Sequence, residues 1–232
     1  MTQPSTTPAE YRSVTGVPRE RMPRHIAVIM DGNGRWAQQR QRPRIEGHQA
    51  GARAVRDVVT ECGHLGIEAL TLYSFSMENW KRPATEVDGL MALYLEYLAK
   101  ERDGLIENNV RFMQIGRREG LSPQVLSAVD ETIGATRDCT GLKLVLALNY
   151  GSRAEITDAA RAIAERVRRG EIQPEQIDEA MVADHLYTAG LPDPDLLIRT
   201  AGEYRISNYL LWQISYAEFI VTERFWPDFT VD

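Results

Sequence analysis

The chain is poor in cysteine and lysine. Its 232 residues include two cysteines, Cys62 and Cys139, separated by 77 positions. Without a CxxC pair, zinc ribbons and dithiol redox motifs have no support, and a reducing compartment fits. Lys81, Lys100 and Lys143 are the only lysines among 27 basic residues, so arginine carries nearly all the positive charge. No apolar run reaches the length of about 18 residues needed to span a bilayer. The N-terminus also lacks an apolar signal core, so a cytoplasmic protein is expected. With 33 acidic residues the formal net charge is −6. That balance argues against nucleic acid as a partner, since such proteins show a basic face.

Hydrophobic residues at 43% and charged residues at 26% are globular values, which exclude a disordered or coiled-coil chain. The length suits one domain with a sizeable core. The charge is uneven, however. Residues 1–60 hold ten arginines against five acids, and residues 61–232 carry a balance of −11. Codon bias is one reading of the arginine surplus. Another is that the planar guanidinium fork suits phosphate held at two points. Composition does not choose between them.

Residues 1–23 show no sustained periodicity and read as a mobile tail, with the domain proper over 24–232. Short apolar runs at His25–Met30, Ala69–Phe75, Arg111–Ile115, Lys143–Tyr150, Leu196–Arg199 and Glu218–Thr222 predict strands. Between them, helical spacing predicts helices over 47–63, 86–106, from Ser122-Pro123 onward, over 152–169 and over 174–188. This alternation means an α/β fold with a mostly parallel central sheet flanked by helices. Ligands in such sheets bind beyond the carboxyl ends of the strands. Asp31, the segment after Phe75 and the segment from Arg199 are therefore the places to look.

Asp31-Gly32-Asn33-Gly34-Arg35-Trp36 follows the first strand directly. Its glycines permit close backbone approach, a following helix would offer free N–H groups to an anion, and Asp31 can hold a divalent cation. A plain strand-to-helix turn is the competing reading. A GxGxxG fingerprint fails because position 37 is Ala, a P-loop is absent, and Asn33 stands where a second nucleophile-type Asp would be needed. Arg44 and His48, four apart, share a face if helical and could complete a phosphate cradle, whereas Arg40 and Arg42 read as a solvated face. Ser74 to Pro83 reads as a substrate-covering loop, or as an ordinary loop with Trp80 packed inward. Arg199 and Arg205, around Gly202 and beside Ser207, make a second anion site. Glu218 can add a carboxylate to a cation.

Together, Ile29–Ala37, Phe75–Trp80, Asn149-Tyr150-Gly151, Arg199–Glu203 and Ile206–Gln213 resemble the cis-prenyltransferases, of the bacterial undecaprenyl diphosphate synthase type. The match runs from about His25 to Asp232. The Asp-rich DDxxD motifs of the all-helical trans-prenyltransferases are missing. The resemblance implies an isoprenyl transferase with a hydrophobic product tunnel. Its reaction would be Mg²⁺-dependent condensation of isopentenyl diphosphate with an allylic diphosphate, farnesyl foremost, to a cis-polyprenyl diphosphate such as the undecaprenyl carrier-lipid precursor of the cell wall.

Residue by residue, the resemblance makes Asp31 the Mg²⁺ ligand that helps the allylic diphosphate depart, with Glu218 as second metal ligand. Gly32, Asn33, Gly34, Arg35, Arg44 and His48 would hold that diphosphate, with Trp36 beside them. Ser76, Met77, Glu78, Asn79, Trp80 and Arg82 would form a loop at the substrate, with Asn79 serving proton removal and Glu86 loop closure. Arg199, Arg205, Ile206 and Ser207 would bind isopentenyl diphosphate. A homodimer is implied, as is peripheral contact with the inner membrane face through the lipid product. Departures are Ser152 where a second glycine is common, Ala201 where Ser is common, and a sequence that stops before the family's usual Arg-x-Gly tail. A non-catalytic partner subunit and a prenyl diphosphatase are the alternative readings.

Overall fold

The computed structural model describes residues 16–231. Of the expected tail, residues 1–15 lie outside the described residues, and Arg19–Arg21 forms a single 3₁₀ turn.

Six strands form one all-parallel sheet: β1 (His25–Ile29), β2 (Ala69–Ser76), β3 (Arg111–Ile115), β4 (Lys143–Tyr150), β5 (Leu196–Arg199) and β6 (Glu218–Val221), in the order β3-β4-β2-β1-β5-β6. All five residues of β1 are buried. Ile26 and Val28 pack into a core on one sheet face, while Ala27 and Ile29 pack into a second core on the other. Alternate side chains bury on both faces, so a strand covered on each side reads as an unbroken apolar run.

The helices are α1 (Asn33–Gln39), α2 (Arg44–Leu65), α3 (Ala84–Glu107), α4 (Pro123–Thr136), α5 (Ser152–Arg168) and α6 (Glu179–His185). Ala54 and Val58 of α2, Val87 and Leu90 of α3, and Val125 and Val129 of α4 share the core with Ile26 and Val28. The Ser122 hydroxyl accepts the Val125 N–H at 3.3 Å, the N-cap expected from Ser-Pro.

The region expected as one helix over 174–188 is instead a 3₁₀ turn at Pro174–Gln176 followed by α6. Asp178 divides them. Its backbone is extended and its carboxylate accepts the Met181 N–H at 2.8 Å, capping a new helix rather than continuing the old one.

Candidate active site

Asp31 emerges just past the end of β1. Its Oδ1 accepts the Gly32 N–H at 2.7 Å, and its Oδ2 accepts Arg199 Nη2 at 2.8 Å. Its own carbonyl accepts the Thr200 hydroxyl at 2.7 Å and the Trp226 N–H at 3.0 Å, which fixes the turn. Burial pushes the Asp31 carboxyl upward. The hydrogen bonds from Arg199 and Gly32 and the charges of Arg199 and Arg35 outweigh it, holding the group below the usual carboxylate range. Asp31 is therefore an anion at neutral pH.

Arg199 ends β5, paired in register with Ile29 of β1. Its side chain is 3% exposed. Besides Asp31, it donates to Ser207 Oγ at 2.8 Å and to the Arg205 carbonyl. The loop it enters is strained. Ala201, Ser207, Asn208 and Leu210 have φ of 72°, 53°, 61° and 46°, a region side chains rarely adopt. Such strain persists where surrounding contacts over-determine it, and it concentrates at functional sites. Glu203 pairs with Arg205 and, at 3.2 Å, with Arg35.

Gly34 opens room for a second arginine. A Cβ there would stand 2.6 Å from the Arg44 guanidinium, so a side chain would push that guanidinium from its present place. Arg44 and Arg82 both face Glu86, at 3.5 and 2.8 Å. His48, one turn along α2 from Arg44, has a buried Nε2 with no hydrogen-bond partner. Burial, aided by the Arg82 and Arg44 charges against Glu86, pushes its imidazole down to about 4. His48 is thus neutral at pH 7, beside two cations.

After β2 the chain makes a 3₁₀ segment, Met77–Lys81. Asn79 Oδ1 accepts the Ser76 N–H at 3.1 Å. Trp80 stays 38% exposed, yet it is tied inward: Nε1 donates to Asn149 Oδ1 at 2.7 Å and the ring meets Phe75 edge-on at 5.0 Å.

These parts surround one cavity of about 1120 Å³. Its polar end is lined by Asp31, Asn33, His48, Ser76, Glu78, Asn79, Arg82, Arg199, Arg205 and Ser207, ten of the residues expected from sequence. From there it runs between α2 and α3 along the sheet, past Leu90, Leu93 and Leu98, to Val110, Leu142 and Leu144 near the opposite strand ends. Arg35 and Arg44 approach from the side, through Asp31 and Gly34.

Other expected residues are placed elsewhere. Trp36 does not line the cavity: its Nε1 donates to Asp228 at 2.7 Å and Arg40 lies 4.2 Å over its ring. Gly32 is enclosed by Phe225 and Ala201, Met77 lies near Gly151, and Ile206 is exposed. Glu218 is not brought to Asp31. It opens β6 in register with Leu196 at the start of β5, whereas Asp31 lies past the far end of β1. About five strand residues, roughly 16 Å, separate their levels. A single chain cannot place both carboxylates on one ion.

Two further residues line the cavity, Tyr73, which no sequence motif marks, and Asn208, which stands in a motif without an expected role. Tyr73 donates through its hydroxyl to the Ser207 carbonyl at 3.2 Å, and Asn208 contacts Glu78 at 3.0 Å. Tyr73 is hidden within an apolar strand run, and no spacing marks it.

Among the described residues no group of three or more His, Cys, Asp or Glu could hold a metal. One carboxylate suffices for a cation that completes its shell with water and substrate phosphate, the usual habit of Mg²⁺. Asp31, ionised and facing the cavity, fits that role.

Comparison with known proteins agrees with this layout. The family model of undecaprenyl diphosphate synthase matches residues 29–232. The chain is 50% identical over 224 residues to an isoprenyl transferase of Shouchella clausii, covering 97% of this chain and 87% of that protein. It is 52% identical over 215 residues to one of Geobacter sulfurreducens, covering 93% and 87%. The crystal structure of lavandulyl diphosphate synthase from Lavandula x intermedia, in complex with dimethylallyl diphosphate, superposes with a TM-score of 0.88 at 38% identity over 90% of each chain.

Proposed function

The chain belongs to the undecaprenyl diphosphate synthase family and is an isoprenyl transferase; we propose that it adds isopentenyl diphosphate units, with cis geometry and Mg²⁺, to farnesyl diphosphate. The product is a cis-polyprenyl diphosphate of the carrier-lipid precursor type. As a transferase it is a catalyst, not the inactive subunit that the sequence left open.

What supports this reading most is the cavity itself. One end carries Asp31, Arg199, Arg205 and Ser207, and the body is apolar between α2 and α3. A diphosphate head with a growing hydrocarbon tail needs that pairing, the body serving as product tunnel.

Each chain extension breaks the allylic C–O bond, joins the allylic carbon to the terminal alkene carbon of isopentenyl diphosphate, and passes one proton from the condensed chain to the departing diphosphate. Charge develops on the departing diphosphate, where Arg35, Arg44 and the helix opened by Gly32 would receive it. Asp31 would hold Mg²⁺, whose positive charge stabilises the leaving diphosphate. Arg199, Arg205 and Ser207 would hold isopentenyl diphosphate across from it, which fixes the two carbons in proximity. Asn79 serves the proton-removal step by orientation, since an amide is too weak a base to keep a proton.

A homodimer accompanies this proposal. Tyr216 is fully exposed, and Phe219 and Ile220 on edge strand β6 are 43% and 51% exposed, an apolar face suited to a second copy. No helix among the described residues is long and apolar enough to cross a membrane. We place the protein in the cytoplasm, contacting the inner membrane face peripherally through its lipid product.

Incubation with farnesyl diphosphate, isopentenyl diphosphate and Mg²⁺ should give chain-extended products, lost on adding EDTA or in Asp31→Asn. Absence of extension would overturn the proposal, and diphosphate release without isopentenyl diphosphate would mark a hydrolase instead.

A further inference from the structure

Asn208 sits where two segments of the site meet. Its φ of 61° lies in the left-handed region that asparagine tolerates better than most residues. Its carbonyl accepts the Ser152 N–H at 2.8 Å, and its Oδ1 accepts the Arg153 N–H at 2.9 Å. Both donors belong to the first turn of α5, where backbone N–H groups have no partner within the helix. The preceding residue, Gly151, has no side chain to cap them, so Asn208 supplies the cap from a distant loop.

The other end of the same amide points to the Met77–Lys81 segment. Asn208 Nδ2 donates to Glu78 Oε1 at 3.0 Å. A Cβ at Gly151 would stand 2.8 Å from that Nδ2 and 3.5 Å from Met77 Sδ, so the bare glycine leaves space for the contact. Glu78 and Asn79 line the cavity from one segment, and Arg205 and Ser207 line it from the other. One side-chain amide bridges the two, and its link to Glu78 is solvent-accessible, so it can open and close at small cost.

We infer that Asn208 is a positioning residue that couples docking of the Met77–Lys81 segment to the seating of Ser207 and Arg205. The isopentenyl diphosphate site is then complete only when that segment is docked. This rests on assigning Arg205 and Ser207 to isopentenyl diphosphate.

Asn208→Asp tests it. Aspartate tolerates the left-handed backbone, keeps an acceptor for the Arg153 N–H and puts a negative charge at a helix N-terminus, where it is favourable. It replaces the donor to Glu78 with a like charge. The expected result has three parts: an unchanged melting temperature, faster tryptic cleavage after Lys81 without substrates, and a KM for isopentenyl diphosphate raised about tenfold, the scale of one charge-assisted hydrogen bond. The KM for the allylic diphosphate should not move. Adding Glu78→Gln, which can donate to the new carboxylate, should restore the wild-type cleavage rate, a readout taken without substrates.

Wild-type cleavage and KM in Asn208→Asp would overturn the inference. So would a lowered melting temperature with no rescue by Glu78→Gln, which marks a structural cap alone. The tryptic readout needs no turnover. If the wild-type enzyme extends no chain, the proposed reaction fails while cleavage still decides the coupling.

Discussion

Arg199 Nη2 lies 2.8 Å from Asp31 Oδ2, and the arginine side chain that makes this contact is 3% exposed. Arg199 ends β5, and Asp31 lies two residues past the end of the neighbouring parallel strand β1, with Ile29 and Arg199 in register. The other side of the guanidinium holds Ser207 Oγ and the Arg205 carbonyl. One planar fork therefore joins the turn after β1 to the strained loop after β5. A buried charge of this kind is tolerated only while its partners stay in place.

Arg199→Lys should retain the charge and lose the fork. An ammonium cannot span Asp31, Ser207 and the Arg205 carbonyl at once. Hydrogen bonds to charged groups contribute about 1.5–3 kcal/mol, so kcat/KM should fall by roughly 10- to 100-fold. Steady-state kinetics on both diphosphates decide it, and wild-type efficiency would remove Arg199 from its role.

His48 should make the protein sensitive to acid. Its imidazole is pushed from 6.5 to about 4 in the folded state, so the unfolded chain takes up the proton first. Stability linked to neutral His48 is complete above pH 6.5 and is lost as pH falls from there toward 4. The full effect is on the order of 3 kcal/mol. Urea titrations across this range should show a flatter pH dependence in His48→Gln, and parallel curves would refute it.

Ser152→Gly should weaken the fold modestly. Ser152 is fully buried and its Oγ accepts the Leu211 N–H at 2.9 Å, next to the left-handed Leu210. Glycine leaves that N–H without its acceptor, at a cost of about 1–2 kcal/mol. Equilibrium unfolding measures the loss, while Ser152→Thr, which keeps the hydroxyl, should retain most of the stability.

Leu142→Trp should shorten the product. Leu142 lines the cavity just before β4 begins, near the opposite strand ends from Asp31. A larger side chain there removes room for the tail without touching the polar end. Chromatography of the extended chains gives the readout. An unchanged length distribution from a folded, active variant would count against the cavity as the tunnel.

The sequence by itself determined the strands and most of the helices, because burial on both sheet faces leaves continuous apolar runs and surface helices leave a periodic stripe. It also placed Asp31 and Arg199 at strand ends, where parallel sheets bind ligands. The break at Asp178 escaped it, since a helix cap competes with helix continuation only through local geometry. Trp36 and Glu218 show the deeper limit. Both stand within residues that resemble a known family, but which side chain turns toward the cavity depends on helix rotation and sheet register. Register decided Glu218, setting it beside Leu196 instead of near Asp31. Asn208 was legible only as a polar residue in a motif. Its reach to Arg153, 55 positions away, and to Glu78, 130 positions away, exists only after the sheet brings β2, β4 and β5 together.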